Sequence, residues 1–267
     1  MAVVTLSREM GSGGAEIGLL AANSPGYRFV DRERIFARVK EAGHKWDKWS
    51  EGMDEHTPRL WERYDWSYCG FVAMVQSAIM QEAVSGKVVI MGRGGNFLLK
   101  GVPFALRVRI VARLEERIAR VSRREKIDED SARRLIERTE RERAGFLLTV
   151  YGRDGKDPGD YDLQLDSTGV PVERIAAEIC ARLYEKDRLM DEEAIKGLAM
   201  RGLAYAIKAR LLTGLPFFMP TLDVAFDGEA VCVRGVVRLP RERALVMEEA
   251  GKMAFEAPLR FELRYRQ

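Results

Sequence analysis

Four small residues follow the first apolar run of the chain, in the segment SREMGSGGAEIG. They are Gly11, Ser12, Gly13 and Gly14, and the residues after them have the composition of a helix start. A strand, a glycine-rich turn and a helix place backbone N–H groups and the positive helix end around an anion. The glycines permit positive φ angles and close approach, so the loop is a candidate phosphate site. They are equally compatible with a plain tight turn.

The loop lacks two side chains of the phosphate-binding pattern G-x-x-x-x-G-K-[ST]. Aligned without gaps, Arg8 takes the first glycine position, Gly14 the lysine position and Ala15 the hydroxyl position. The lysine of that pattern reaches the β- and γ-phosphates, and the hydroxyl holds Mg²⁺. Arg8 borders the loop and is long enough to fold over a bound anion, so we assign it a catalytic role. We therefore expect phosphate binding to survive better than phosphoryl transfer.

A second candidate group is an arginine in the segment GRGGNFLL, which follows the apolar run KVVIM. Arg93 is thus predicted at the carboxyl end of a buried strand, where open α/β sheets bind ligands. Its planar guanidinium matches a phosphate group. The structural alternative is that Arg93 caps a loop or pairs with a carboxylate.

Arginines are concentrated between residues 113 and 143. Most alternate with glutamates, as on a solvated helix surface that carries weak i,i+4 pairs. An arginine-rich helical hairpin is also suited to close over phosphates as a lid.

Short apolar strands alternate with helical segments up to about residue 186. We predict strands in AVVTL, YRFVD, KVVIMG, FALRVRIVA and YDLQLDS. Such alternation implies right-handed crossovers and a parallel sheet with helices on both faces. The predicted fold is therefore α/β, with an arginine-rich helical lid, over residues 1–186.

The pattern changes after this region. Residues 187–197 are charged and are predicted to be a linker. Residues 198–267 then predict the order α-β-β-α-β, with the DG turn indicating a hairpin. The C-terminal part is thus expected to be a small α+β domain.

Composition restricts the class of protein. The chain has 267 residues, 46% of them hydrophobic and 32% charged, with a net charge of +3. This suits a soluble protein of one large or two modest domains, and the charge excess does not indicate a nucleic acid partner. Three scattered cysteines fit neither a disulfide framework nor a zinc site, so we expect a cytoplasmic protein. His44 and His56 are too few for a metal centre, and no metal-ligating residues are predicted.

Six segments, taken in order, resemble the cytidylate kinase-like family of P-loop proteins. The resemblance runs from about Val3 to Leu183, in the segments VTLSREMGSGG, FVDRERIF, VVIMGRGGNFLL, RVRIVARLEERIARVSRRE, ERERA and YDLQLDSTGVPVERIAAEI. It implies a kinase that binds ATP and Mg²⁺ at the glycine loop and a nucleoside monophosphate opposite. It also implies a lid that excludes water during transfer, and Arg120, Arg123 and Arg124 fall in the lid region. Arg123 and Arg124 join Arg8 as catalytic candidates, because a lid arginine can supply charge that the missing lysine would give.

The resemblance assigns roles to individual positions. Asp31, Arg93, Glu140 and Arg143 fall on positions that bind the monophosphate, with glutamate replacing the aspartate of the family's D-x-x-R pair. Related sequences that lack the lysine often carry an arginine directly after the paired glycines, but here that residue is Ala15. Two functions therefore stay open: a pyrimidine monophosphate kinase, and a weak or inactive nucleotide-binding relative with a regulatory role.

The C-terminal region resembles a BON-type domain, on its element order and the segment DGEAVCVRGVV. That resemblance implies a protein or phospholipid-surface partner. A dimerisation or regulatory appendage fits the same pattern. A third hypothesis treats the kinase fold as a scaffold for this module.

Overall fold

The computed structural model describes residues 2–23, 26–41 and 65–266. Most of the tryptophan-rich segment 45–66, for which we predict a helical cap or an interface, lies outside the described residues, as do His44 and His56. The described residues form two compact units. One contains residues 2–23, 26–36 and 85–190, and the other contains 37–41, 65–84 and 191–266.

Strands and helices follow the predicted order. The strands are β1 (Val3–Arg8), β2 (Arg28–Val30), β3 (Val88–Met91), β4 (Ala105–Val111), β5 (Leu163–Asp166), β6 (Asp223–Phe226), β7 (Val231–Val237) and β8 (Leu259–Tyr265). The helices are α1 (Gly14–Asn23), α2 (Arg32–Glu41), α3 (Trp66–Val84), α4 (Gly95–Leu98), α5 (Leu114–Glu125), α6 (Glu129–Tyr151), α7 (Val172–Asp187), α8 (Glu192–Gly214) and α9 (Pro240–Ala254).

The first unit is built on a five-stranded parallel sheet with the order β2-β3-β1-β4-β5. Its central strands are apolar and buried, as a parallel sheet covered on both faces requires. Side chains from β1, β4, α1 and α7 form one core, which includes Leu6, Ile17, Ile110 and Ile179. The predicted α/β fold is confirmed.

The arginine-rich stretch folds as a helical hairpin. Helix α5 ends at Lys126, whose φ of 57° is left-handed, and the Asp128 side chain caps α6 by accepting from Ser131 N at 2.8 Å. Ile118 and Ile136 belong to the small core between the two helices. The hairpin therefore has its own apolar contact besides the surface charges.

The second unit contains a three-stranded sheet with the order β6-β7-β8. Strands β6 and β7 are antiparallel, and β8 runs parallel to β7 after the α9 crossover. The Asp227 carboxylate accepts from the backbone of Glu229 and Ala230, and Gly228 has a φ of 106°, so the DG segment makes the predicted turn. The order α-β-β-α-β matches the prediction.

Two features of the second unit extend beyond that order. Helix α8 begins at Glu192, inside the predicted linker, because Asp191 caps it by accepting from Ala194 N at 2.7 Å. Helix α3 also belongs to this unit and packs against α8. The domain boundaries at 186 and 198 stay predictions. Among the described residues no helix is long and apolar enough to cross a membrane.

Candidate active site

A cleft lies at the carboxyl ends of β1 and β3, in the first unit. Its volume is about 900 Å³, counting its open mouth. Four residues that sequence analysis singled out meet here, namely Arg8, Arg93, Glu140 and Arg143. The cleft is also lined by Arg109, Lys156, Glu9, Asn96, Asp154 and Tyr161. The glycine loop itself, Asp31, Arg123 and Arg124 are not among the lining residues.

The glycine loop has the backbone of an anion site. Gly11 and Gly13 have φ angles of 82° and 77°, as predicted for them. Gly14 differs from that prediction because it begins α1 without a positive φ. It is needed for close approach instead, since a Cβ on Gly14 would lie 2.6 Å from the Cβ of Arg8. The position of the missing lysine is therefore sterically closed.

Arg8 connects the glycine loop to the cleft. Its stem lies against Gly14, whereas its Nη1 atom would lie 2.7 Å from a Cβ built on Gly92. The guanidinium is thus directed to the end of β3 rather than folded over the loop. Arg8 supplies positive charge between the loop and the cleft.

Three residues outside the glycine loop pack against it. Arg117 contacts Gly11 so closely that a Cβ there would lie 2.7 Å from the Arg117 carbonyl oxygen. Ser167 Oγ donates to the Ser12 carbonyl at 2.7 Å. Arg120 donates to Ser167 Oγ at 3.3 Å and to the Ser167 carbonyl at 3.0 Å, next to Gly13. Of the predicted lid arginines, it is therefore Arg120 that lies at the loop.

The other two lid candidates lie elsewhere. Arg123 and Arg124 are exposed near the tip of the hairpin, and Arg124 Nε pairs with Glu125 at 2.8 Å. They are one or two turns beyond Arg117 and Arg120 along α5. Sequence spacing alone did not distinguish these positions, because the whole segment is rich in arginine.

Arg93 stands in a strained turn. Gly92, Arg93 and Gly94 have φ angles of 79°, 56° and 75°, so Arg93 is held in a left-handed conformation that non-glycine residues rarely adopt. The Arg93 guanidinium lies over the ring of Phe36, 5.1 Å from its centroid. Tyr151, the last residue of α6, donates from its hydroxyl to the Arg93 carbonyl at 2.9 Å. Helix α6 therefore holds the Arg93 turn in place.

Glu140 and Glu9 organise the positive charges around the loop. The Glu140 carboxylate accepts hydrogen bonds from Arg117 and from Met10 N, the second at 3.3 Å. Glu9 lies 3.5 Å from Arg109 Nη2 and 3.6 Å from Arg117 Nε. These contacts join the loop to α5 and α6. The Glu140 carboxylate predicted to bind the monophosphate is thus engaged within the protein.

Asp31 has a structural position at the start of α2. Its Oδ1 accepts from Arg34 N at 3.0 Å, which is the contact of a helix N-cap. The monophosphate role assigned to it stays a prediction, since Asp31 is not among the lining residues.

Several lining residues were not predicted. Arg109 lies on the partly exposed side of β4, whose residues alternate between buried and partly exposed positions. Asn96 is 2% exposed, and its Nδ2 atom has no hydrogen-bond partner among the described residues. A buried amide without a partner is costly, so Asn96 is suited to a ligand in the cleft. Lys156 follows an Asp-Gly pair and carried no signal.

The loop suits a phosphate better than a metal ion held by protein side chains. Ala15 offers no oxygen, and the Ser12 hydroxyl is buried and donates to the Glu9 carbonyl at 2.9 Å. Within the described ranges, no group of three or more histidines, cysteines or carboxylates is placed to hold a metal ion. Positive φ angles, the α1 start and nearby arginines instead favour an anion.

Comparison with known proteins gives consistent matches. A model of the cytidylate kinase-like family matches residues 3–169, more than half of the chain. The cytidylate kinase of Methanopyrus kandleri is 27% identical over 175 residues, covering 62% of this chain and 84% of that protein. The cytidylate kinase of Methanocaldococcus jannaschii is 28% identical over 177 residues, covering 65% of this chain and 92% of that protein. A solved structure of an uncharacterized protein from Eubacterium ventriosum has a TM-score of 0.56 at 17% identity. The match covers 69% of this chain and 98% of that protein.

Proposed function

Because the chain belongs to the cytidylate kinase-like family, we propose that it transfers a phosphoryl group from ATP to a pyrimidine nucleoside monophosphate. The cleft carries this proposal. Arg8, Arg93 and Arg143 line it beside the glycine loop, and guanidinium groups recognise phosphate through paired hydrogen bonds. The relatives from Methanopyrus kandleri and Methanocaldococcus jannaschii are both named cytidylate kinase.

Each part of the site has a role in such a transfer. The backbone of Gly11–Gly14 and the start of α1 bind the triphosphate, and Arg93 and Arg143 orient the monophosphate. An oxygen of the monophosphate attacks the terminal phosphorus of ATP, and ADP leaves. Arg8, which lies between the loop and the cleft, would stabilise charge on the transferring group. The α5–α6 hairpin excludes water.

The rate of this reaction is expected to be low. Lysine acts mainly on charge that develops during transfer, and its position is closed here by Arg8. Removing one such contact costs about 10²–10³ in rate. Mg²⁺, which the family implies, would be held mainly by the nucleotide, since Ala15 leaves the glycine loop without the hydroxyl ligand. We expect turnover far below the range of about 1–100 s⁻¹ that is usual for kinases.

A second candidate function is nucleotide-dependent regulation. The closed position at Gly14 favours it, because the chain cannot accept the lysine without a rearrangement. The protein would then bind nucleotide with little or no transfer. It would act through its C-terminal part on a protein partner or a phospholipid surface.

Calorimetry and a turnover assay test these alternatives. CMP, UMP, AMP and ATP are titrated separately into the full chain, and turnover is measured with whichever donor and acceptor bind. Binding of ATP and a pyrimidine monophosphate with slow turnover supports the kinase. Binding without turnover favours regulation. If no nucleotide binds at millimolar concentration, both functions are wrong and the glycine loop is only a turn.

A further inference from the structure

The turn formed by Asp154, Gly155 and Lys156 is one wall of the cleft. Asp154 Oδ1 accepts from Lys156 N at 2.9 Å, which closes the turn locally. Gly155 has a φ of 75°, and a Cβ there would lie 2.7 Å from Leu147 Cδ1 on α6. The positive φ of Gly155 and its close approach to α6 restrict the conformation of this turn.

Two donors from the cleft hold the carbonyl of this turn. The Gly155 oxygen accepts from Tyr161 OH at 2.7 Å and from Arg109 Nη1 at 2.9 Å. Burial raises the pKa of the Tyr161 phenol, although a hydrogen bond with Ser7 and the nearby Arg109 oppose this shift. The phenol is thus protonated at neutral pH and is a donor. Arg109 also lies over the Tyr161 ring, 5.7 Å from its centroid.

This anchoring places an ammonium group at the cleft. Lys156 adjoins the doubly held carbonyl, lines the cleft and is exposed. Among the described residues that line the cleft, it is the one lysine. Apart from Lys156, the charged residues that line the cleft are four arginines and three carboxylates, a formal net charge of +1, which does not neutralise a phosphate monoester of roughly −1.5 to −2 at neutral pH. A flexible ammonium with three donors complements the more rigid arginines.

We propose that Lys156 binds the phosphate group of the acceptor, and that Tyr161 and Arg109 are positioning residues that hold its turn. This inference rests on the proposed function and deepens it. It adds a binding residue from the segment between α6 and β5.

The first test compares Lys156→Ala with Lys196→Ala. Lys196 is an exposed lysine on α8, in the second unit, so its removal reproduces the change in net charge. CMP is titrated into each full-length variant by calorimetry. We expect Lys156→Ala to weaken CMP binding about tenfold or more, as for a hydrogen bond to a charged group. Lys196→Ala should stay within about twofold, the accuracy expected of distant sites.

A double-mutant cycle separates positioning from general stability. Tyr161→Phe removes the hydroxyl that donates to Gly155, and we expect CMP binding to weaken about threefold in the otherwise unmodified chain. In the Lys156→Ala background the same substitution should have no further effect, because the residue it positions is gone. An equal loss in both backgrounds would make Tyr161 merely structural. Circular dichroism checks that each variant is folded.

The outcomes also distinguish this inference from the proposed function. If the unmodified chain binds none of CMP, UMP and AMP, both are wrong. If it binds CMP, and Arg93→Ala loses this binding but Lys156→Ala keeps it, the proposed function stands and the role of Lys156 is refuted.

Discussion

Arg93 is the residue whose position most directly suggests acceptor binding. Its strained backbone is held by Tyr151 at the mouth of the cleft. We expect Arg93→Ala to weaken CMP binding about 10- to 100-fold, since charge-assisted hydrogen bonds contribute about 1.5–3 kcal/mol. ATP binding, which we propose depends on the glycine loop, should change far less.

Arg124→Ala is the matched control for this prediction. It removes an exposed arginine of the lid hairpin that pairs with its neighbour Glu125. Calorimetry with CMP and ATP should give wild-type affinities for this variant. Equal losses for both nucleotides in Arg93→Ala would assign Arg93 to structure rather than to the acceptor.

Gly14 allows a test of the missing lysine. Gly14→Lys alone should lower the free energy of unfolding by about 1–3 kcal/mol, because its Cβ would overlap the Arg8 stem. The double variant Arg8→Gly/Gly14→Lys removes that overlap and should regain at least half of the loss. Urea unfolding measures both.

Turnover of the same variants then tests the role of the lysine. The double variant should exceed Arg8→Gly in its rate of phosphoryl transfer with ATP and CMP. Equal rates would show that the lysine position does not limit the reaction.

Residue positions in the cleft were predictable where a charge follows a strand. Arg8 ends β1 and Arg93 lies two residues after β3, and these strands pair in parallel, so the meeting of the two arginines in one cleft follows from topology. Lys156 and Tyr161 were not predictable, because their positions depend on a turn that α6 shapes through Leu147. Asp31 is the opposite case. The resemblance assigns it to substrate binding, and in the structure it caps the start of α2.

At the scale of elements, α6 belongs to the proposed lid and also holds the Arg93 turn in place. Its last residue, Tyr151, packs on Gly94, where any Cβ would overlap the Tyr151 ring. Gly94→Ala should therefore lower the midpoint of thermal unfolding by more than the strain of a positive φ alone. Gly152→Ala is the control, since its φ is 68° but nothing lies within 4 Å of its Cβ. Equal shifts in the two variants would show that the Tyr151 contact is unimportant.

Elements were predicted well because their patterns are local. Buried β-branched runs such as Val88–Met91 and caps such as Asp128 determine strands and helix starts without reference to the rest of the chain. Which of these elements pack together could not be predicted from local patterns. The apolar pattern of α3 indicates a buried helix but not the neighbour that buries it.

At the scale of the whole molecule, the second unit is assembled from distant parts of the chain. A Cβ on Gly202 of α8 would lie 2.8 Å from Val84 Cγ2 of α3. Gly202→Ala should lower the free energy of unfolding by about 1–3 kcal/mol through overpacking. Gly197→Ala, on the same helix with nothing within 4 Å, should be neutral or up to about 1 kcal/mol more stable. Urea unfolding followed by circular dichroism compares them. A stabilised Gly202→Ala would contradict the close packing of α3 on α8.

The same pairing of α3 with α8 affects the protein while it is still being made. Helix α3 ends at Val84, and its partner is complete only at Gly214. At a synthesis rate of about 5–20 residues per second, the ribosome needs roughly 7–26 s to add the intervening chain. During that interval Ala73 and Met74 of α3, which belong to the apolar core that α8 completes, lack that partner. The nascent chain thus presents an apolar segment long before its partner leaves the exit tunnel, and early release by a stop codon leaves that segment uncovered for good.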